Sequence, residues 1–116
     1  MSGIDSYTEL TRDVTGRLAA LRSHNAEVMQ GFGALSKAAL APGALDAKTK
    51  ELIAMAIGVA NRFDDCLGFH AKALVRLGAT PEEFREMLGV AVYMGGGPSL
   101  MYAAHALAAY DEFAAA

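Results

Sequence analysis

Apolar residues recur along most of this chain at spacings of three and four, the period at which one face of a helix turns inward. From about Ser6 to Ser23 they are Leu10, Val14, Leu18 and Leu21. A second run, from about Asn25 to Leu40, carries Val28, Met29, Phe32, Leu35 and Leu40. It stops at Ala41-Pro42-Gly43, where proline cannot continue the hydrogen-bond ladder. Asp46 is placed to cap a third helix, Ala47 to about Arg62. Its stretch Leu52 to Ala60 has no polar side chain, which predicts the central helix of a bundle. Asp64 or Asp65 is read as the cap of a fourth helix, which ends at Leu77-Gly78 with glycine just past its end. Thr80-Pro81-Glu82-Glu83 combines a threonine cap, proline at the first helical position and a glutamate that closes a capping box. That fifth helix runs to about Met94, and Gly95-Gly96-Gly97-Pro98 turns the chain into a sixth, Ser99 to about Phe113. No alternating strand pattern survives beyond a few residues. The pattern predicts an all-α fold, a compact six-helix bundle in one domain spanning residues 1–116.

Composition sharpens this picture. With 53% hydrophobic residues and a mean hydropathy of +0.25, the 116-residue chain is too apolar to stay disordered. Its 24 alanines against nine valines plus isoleucines favour helix over strand. Ten basic and thirteen acidic residues leave a net charge of −3, without a basic stripe to neutralise a phosphate backbone, so nucleic acid is not an expected partner. A single cysteine cannot close an intrachain disulfide. Met1-Ser2-Gly3-Ile4-Asp5 lacks the basic and apolar regions of a leader, so the expected location is the cytoplasm.

The run Leu88 to Tyr110 contains no Asp, Glu, Lys or Arg and is long enough to cross a bilayer. Its Gly-Gly-Gly-Pro interruption argues instead for two soluble helices meeting at a turn, with no membrane as partner. Together with Leu52–Ala60, this run is more apolar surface than one small chain should cover. Association with copies of itself is therefore expected. Met87, Met94 and Met101, seven apart, read as a core or subunit-contact stripe.

Reactive side chains concentrate in Glu51 and in Asp64-Asp65-Cys66-Leu67-Gly68-Phe69-His70. Cys66 falls in the first turn of the fourth helix, where free N–H groups and the helix dipole favour a thiolate. His70 lies one turn further on the same face, within reach of the thiol proton. If the third and fourth helices form an antiparallel hairpin, Glu51 lies nearer His70 than Cys66, and the three read as a proton relay. Each also has a plainer role: a lone cysteine as a small buried hydrophobe, a histidine as a hydrogen-bonded packing residue, a glutamate as a first-turn carboxylate. One cysteine and one histidine fall short of a zinc pattern, so neither metal nor cofactor is called for. His105, among Tyr102, Ala103, Ala104 and Ala106, is read as a packing or interface residue, and His24 as a helix-end residue.

At these residues the chain resembles the carboxymuconolactone decarboxylase superfamily, which includes the alkylhydroperoxidase D proteins. The resemblance runs through Gly43–Ala54, Cys66-Leu67-Gly68-Phe69-His70, Gly78–Phe84 and Met94–Pro98, and covers residues 43 to about 110 best. In the peroxidase branch a Glu is followed twelve residues on by Cys-x-x-Cys, and four residues after the second Cys by His. Glu51, Cys66 and His70 match, while Phe63 stands where the first Cys would be. The resemblance thus implies three catalytic residues, Glu51, Cys66 and His70, without the disulfide partner. It implies a single-cysteine, peroxiredoxin-like antioxidant peroxidase acting on a small molecule and restored by an external thiol. Equally, it admits a cofactor-independent decarboxylase or lactone enzyme that uses Glu51 and His70 as acid and base. A non-catalytic oligomeric binding or scaffold protein is the third reading. The resemblance further implies a homo-oligomer, a trimer or a hexamer.

Overall fold

A computed structural model describes residues 6–116; the expected absence of a leader in Met1–Asp5 lies outside those residues. Six helices follow in order: α1 (Tyr7–His24), α2 (Ala26–Leu40), α3 (Ala47–Ala60), α4 (Asp64–Arg76), α5 (Pro81–Gly95) and α6 (Gly97–Ala115). Strands are absent among the described residues. The fold is all-α, as the apolar spacing predicts.

Local chemistry explains most boundaries. Ser6 caps α1 by accepting from the Glu9 amide, and Asp46 caps α3 by accepting from the Thr49 amide at 2.7 Å. Thr80 and Glu83 close the capping box of α5 in both directions, at 3.1 and 2.9 Å. The fourth helix departs from expectation. Its cap is Phe63, which offers no side-chain bond, and Asp64 and Asp65 both lie inside the first turn. Asp64 is drawn instead into tertiary hydrogen bonds described below. The Gly-Gly-Gly-Pro turn is also tighter than predicted. Only Gly96 leaves helical geometry, at φ 75°, a conformation that disfavours any side chain. Pro98 then fits into the first turn of α6, where its missing N–H costs nothing.

The core lies among α3, α4, α5 and α6. Met55 and Val59 of α3, Leu67 and Leu74 of α4 and Phe84 of α5 are fully buried. They pack against Ala103, Ala106 and Ala109 of α6, whose small side chains let α4 approach closely. Tyr110 stacks on Phe84 with ring centroids 4.5 Å apart, and its hydroxyl donates to the Ala79 carbonyl at 2.6 Å. α1 closes the side of α4, where Tyr7 and Thr11 pack on Gly68. A Cβ built at Gly68 would lie 2.7 Å from a Thr11 methyl carbon, so the close approach depends on glycine.

Two expectations need correction. α3 is not enclosed by the bundle: Ile53 and Ile57 are about half exposed on its outer face. α2 buries no residue at all, and Val28, Phe32 and Leu35 each keep roughly two thirds of their surface open. A repeat of three and four shows that a helix has an apolar face but not what that face meets. The methionine stripe divides in the same way, with Met87 packed against the core and Met94 and Met101 mostly exposed. Among the described residues, no helix is long and apolar enough to cross a membrane.

Candidate active site

α3 and α4 are joined by Asn61-Arg62-Phe63, with Arg62 in the left-handed region at φ 57°. The reversal sets the second turn of α4 beside the second turn of α3. There, His70 Nδ1 and Glu51 Oε1 are 2.5 Å apart. Both side chains are largely shielded, with 11% of Glu51 and 23% of His70 exposed. A carboxylate can only accept, so Nδ1 carries the proton and Nε2 keeps the lone pair that makes a neutral imidazole basic. The structure therefore brings Glu51 and His70 into direct contact, with no intervening water required.

Cys66 sits in the first turn of α4, one turn before His70 and on the flank that faces α3. Gly58 of α3 lies opposite it; a Cβ there would stand 3.5 Å from that of Cys66. The thiol is half-buried, and its protonation differs from expectation. Burial pushes its pKa up, and the negative charge of neighbouring Asp65 pushes it further in the same direction. The free N–H groups of the helix start do not outweigh a desolvated sulfur next to a carboxylate. At rest Cys66 is a thiol, and any nucleophilic role needs a base.

Phe63, which stands at the position of the missing cysteine, is 56% exposed. Its ring does not fill the core, so replacing it leaves no internal cavity. It forms an open aromatic shoulder three residues from Cys66.

A second polar cluster was not legible in the sequence. Asp64 Oδ1 accepts from the Tyr7 hydroxyl at 2.9 Å and pairs with His105 Nδ1 at 2.9 Å. Tyr102 packs on the His105 ring with centroids 4.8 Å apart. Burial, then the bond to Asp64, raises the Tyr7 pKa well above the usual phenol range, so its hydroxyl stays a donor. His105 is thus more than packing: with Asp64 it ties α6 to α4 and, through Tyr7, to α1. His105 and Tyr7 are 41 and 57 residues from Asp64 along the chain, and no local spacing announces such a set. No group of three or more His, Cys, Asp or Glu side chains among the described residues is placed to hold a metal ion.

An all-helical chain with a shielded Glu–His pair on one hairpin and a cysteine one turn away defines a class of small helical proteins that set acid–base and thiol side chains side by side. The comparisons give that class a family. A sequence model of the Carboxymuconolactone decarboxylase family matches residues 26–109, and the chain belongs to this family. It is 41% identical over 107 residues to an uncharacterised protein of Cupriavidus necator, covering 92% of this chain and 94% of that one. Its fold is similar to the apo crystal structure of a carboxymuconolactone decarboxylase family protein from Legionella pneumophila. The TM-score is 0.91 at 56% identity, over 93% of this chain and 96% of that one. It is also similar to a carboxymuconolactone decarboxylase family protein from Thermotoga maritima, for which a part in the antioxidative response has been suggested. Here the TM-score is 0.70 at 33% identity, over 82% of this chain and 86% of the other.

Proposed function

We propose that this protein reduces peroxides through a single thiol, Cys66, with His70 as its base and Glu51 as the residue that holds His70 in place. The observation that carries the reading is the 2.5 Å bond between His70 Nδ1 and Glu51, which directs the basic Nε2 away from the carboxylate, on the face of α4 that Cys66 shares. His70 takes the thiol proton and the thiolate sulfur attacks a peroxide oxygen. The O–O bond breaks, and the departing alkoxide takes the proton back from His70. Cys66 is left as a sulfenic acid. Because the chain has one cysteine, two equivalents of an external thiol return it to the thiol, releasing water and a disulfide. The antioxidative part suggested for the Thermotoga maritima relative supports this direction.

A second reading rests on its own observation. Burial and Asp65 hold Cys66 protonated, whereas the Glu51–His70 pair is assembled without it. That favours acid–base work on a lactone or β-keto acid, with the cysteine as a wall of the site. Peroxide consumption with dithiothreitol as the external thiol separates the two. Under the thiol reading Cys66→Ser abolishes turnover, and Glu51→Gln slows it by about 10²-fold, the low end for a general base. Under the acid–base reading peroxide is not consumed while a lactone or β-keto acid is turned over, and in that turnover Glu51→Gln is the more damaging change and Cys66→Ser is tolerated. Peroxide turnover that survives Cys66→Ser defeats the thiol mechanism.

The reading includes self-association into a trimer or a trimer-based hexamer. The chain exposes 7279 Å², against about 6,000 Å² for a monomer of its mass. Large apolar side chains are exposed on α2 and on the outer faces of α3, α5 and α6. A stable interface needs about 800 Å² per partner, and these exposed apolar faces support the reading.

A further inference from the structure

Between α1 and α4, on a different flank of α4 from Cys66, lies a cleft of about 260 Å³. It is lined by Thr8, Thr11, Arg12 and Thr15 of α1 and by Phe69 and Lys72 of α4. We propose that this cleft is a binding site for the phosphate group of a small hydroxylated molecule, held by Arg12 and Lys72.

Charge is the first argument. The chain is acidic overall, yet this cleft has two cations and no carboxylate in its lining. Among the described residues neither Arg12 nor Lys72 forms an ion pair. Their helical neighbours offer little: Lys72 has Gly68 and Arg76 four residues away, Arg12 has Thr8 and Gly16, and Glu9, three residues before Arg12, is exposed, forms no ion pair with it and does not line the cleft. The nearby carboxylates are engaged elsewhere, Asp13 with Arg17 at 3.0 Å and Glu112 with Ser6, Tyr7 and Thr8. Two uncompensated cations converging from two helices match a group carrying nearly two negative charges. A phosphate at neutral pH does so, and a single carboxylate carries only one. The arginine fork adds two-point recognition of the phosphate oxygens, with lysine as the point charge beside it.

The hydroxyls decide what else the ligand carries. Thr11 donates to the carbonyls of Tyr7 and Thr8, at 2.9 and 3.1 Å, and Thr15 donates to the Thr11 carbonyl at 2.7 Å. Thr8 bonds Glu112 through its backbone amide at 2.8 Å. With their protons committed, Thr11 and Thr15 present lone pairs to the cleft, which accept from ligand hydroxyls and do not stabilise an anion. The phosphate thus belongs at the Arg12–Lys72 side, and the organic part lies along the threonine oxygens and the half-buried ring of Phe69.

Titration with inorganic phosphate, glycerol 3-phosphate and glycerol, followed by amide chemical shifts, tests the site. Phosphate and the ester should shift residues 8–15 and 69–72, the ester binding more tightly, and glycerol should do nothing. Added sodium chloride should weaken both anions. Arg12→Gln and Lys72→Gln should each reduce affinity by about tenfold, since a hydrogen bond to a charged group is lost. Both side chains are exposed, so circular dichroism should report an unchanged fold. Equal binding of phosphate and ester keeps the site and identifies the free ion as its ligand. An absence of shifts in the cleft, or affinities that the two variants leave untouched, overturns the proposal. So does a change of oligomeric state in the variants without phosphate binding, which would show the cations serving a subunit contact.

Discussion

Cys66 and Asp65 are adjacent, and their electrostatic relation sets what the thiol can do. Desolvation and the Asp65 charge both favour the protonated sulfur, so iodoacetamide should alkylate Cys66 slowly at neutral pH. The rate should rise with a midpoint above the ordinary thiol value of 9.0. Asp65→Asn removes one of the two causes while leaving burial in place, and should lower that midpoint and speed alkylation at neutral pH. A midpoint unmoved by the substitution would assign the whole shift to burial. Glu51 and His70 could be singled out from spacing because helical geometry places residues 66 and 70 on one face, and a hairpin returns residue 51 to them. The protonation of Cys66 is not legible in the sequence, because the helix start is a local property whereas desolvation depends on what α3 places over the sulfur.

At the scale of elements, α1 depends on a residue from the far end of the chain. Glu112 of α6 accepts from the Tyr7 and Thr8 amides, both at 2.8 Å, and from the Ser6 hydroxyl at 2.9 Å. The orphan amides at the start of α1 are thereby satisfied by a carboxylate on another helix. Burial opposes the charge of Glu112, but these hydrogen bonds outweigh it and lower its pKa from 4.5 to about 2. The folded-state value lies below the unfolded one, so the stabilisation is complete above pH 4.5 and is lost as pH falls towards 2. Glu112→Gln should lower the unfolding midpoint at neutral pH and flatten its dependence on acid in that window. A thermal-unfolding series on both proteins checks this, and parallel acid curves would contradict it. The three donors, two amides and a hydroxyl, lie more than a hundred residues from Glu112, too far apart for any periodicity to connect them.

For the whole molecule, the apolar faces of α2 and α3 decide whether the chain works alone. Val28, Phe32 and Leu35 project from a helix that buries nothing in its own chain. Phe32→Glu should therefore leave the helical content of the subunit intact and dissociate the assembly. Light scattering reads the mass directly; wild-type protein at 12.1 kDa in micromolar solution would remove the oligomer from the proposed function. An assembly that survives Phe32→Glu would place the contact on α5 and α6, where Tyr93, Met94 and Met101 are exposed.

What the sequence by itself determined is what short-range physics governs. Helix periods, the Asp46 and Thr80 caps and the break at Gly96 depend on residues a few positions apart, as does the placing of Cys66 and His70 on one face. Tertiary structure decided which apolar faces were covered. Leu52 to Ala60 reads as uniformly apolar, yet Met55 and Val59 are buried while Ile53 and Ile57 face outward, because only one side of α3 meets the other helices. It also decided that Asp64, two residues from Cys66, serves Tyr7 and His105 and not its own helix start. A side-chain oxygen with several donors in reach goes to those that burial has separated from water. Which donors those are depends on how α1, α4 and α6 pack, and not on their order along the chain.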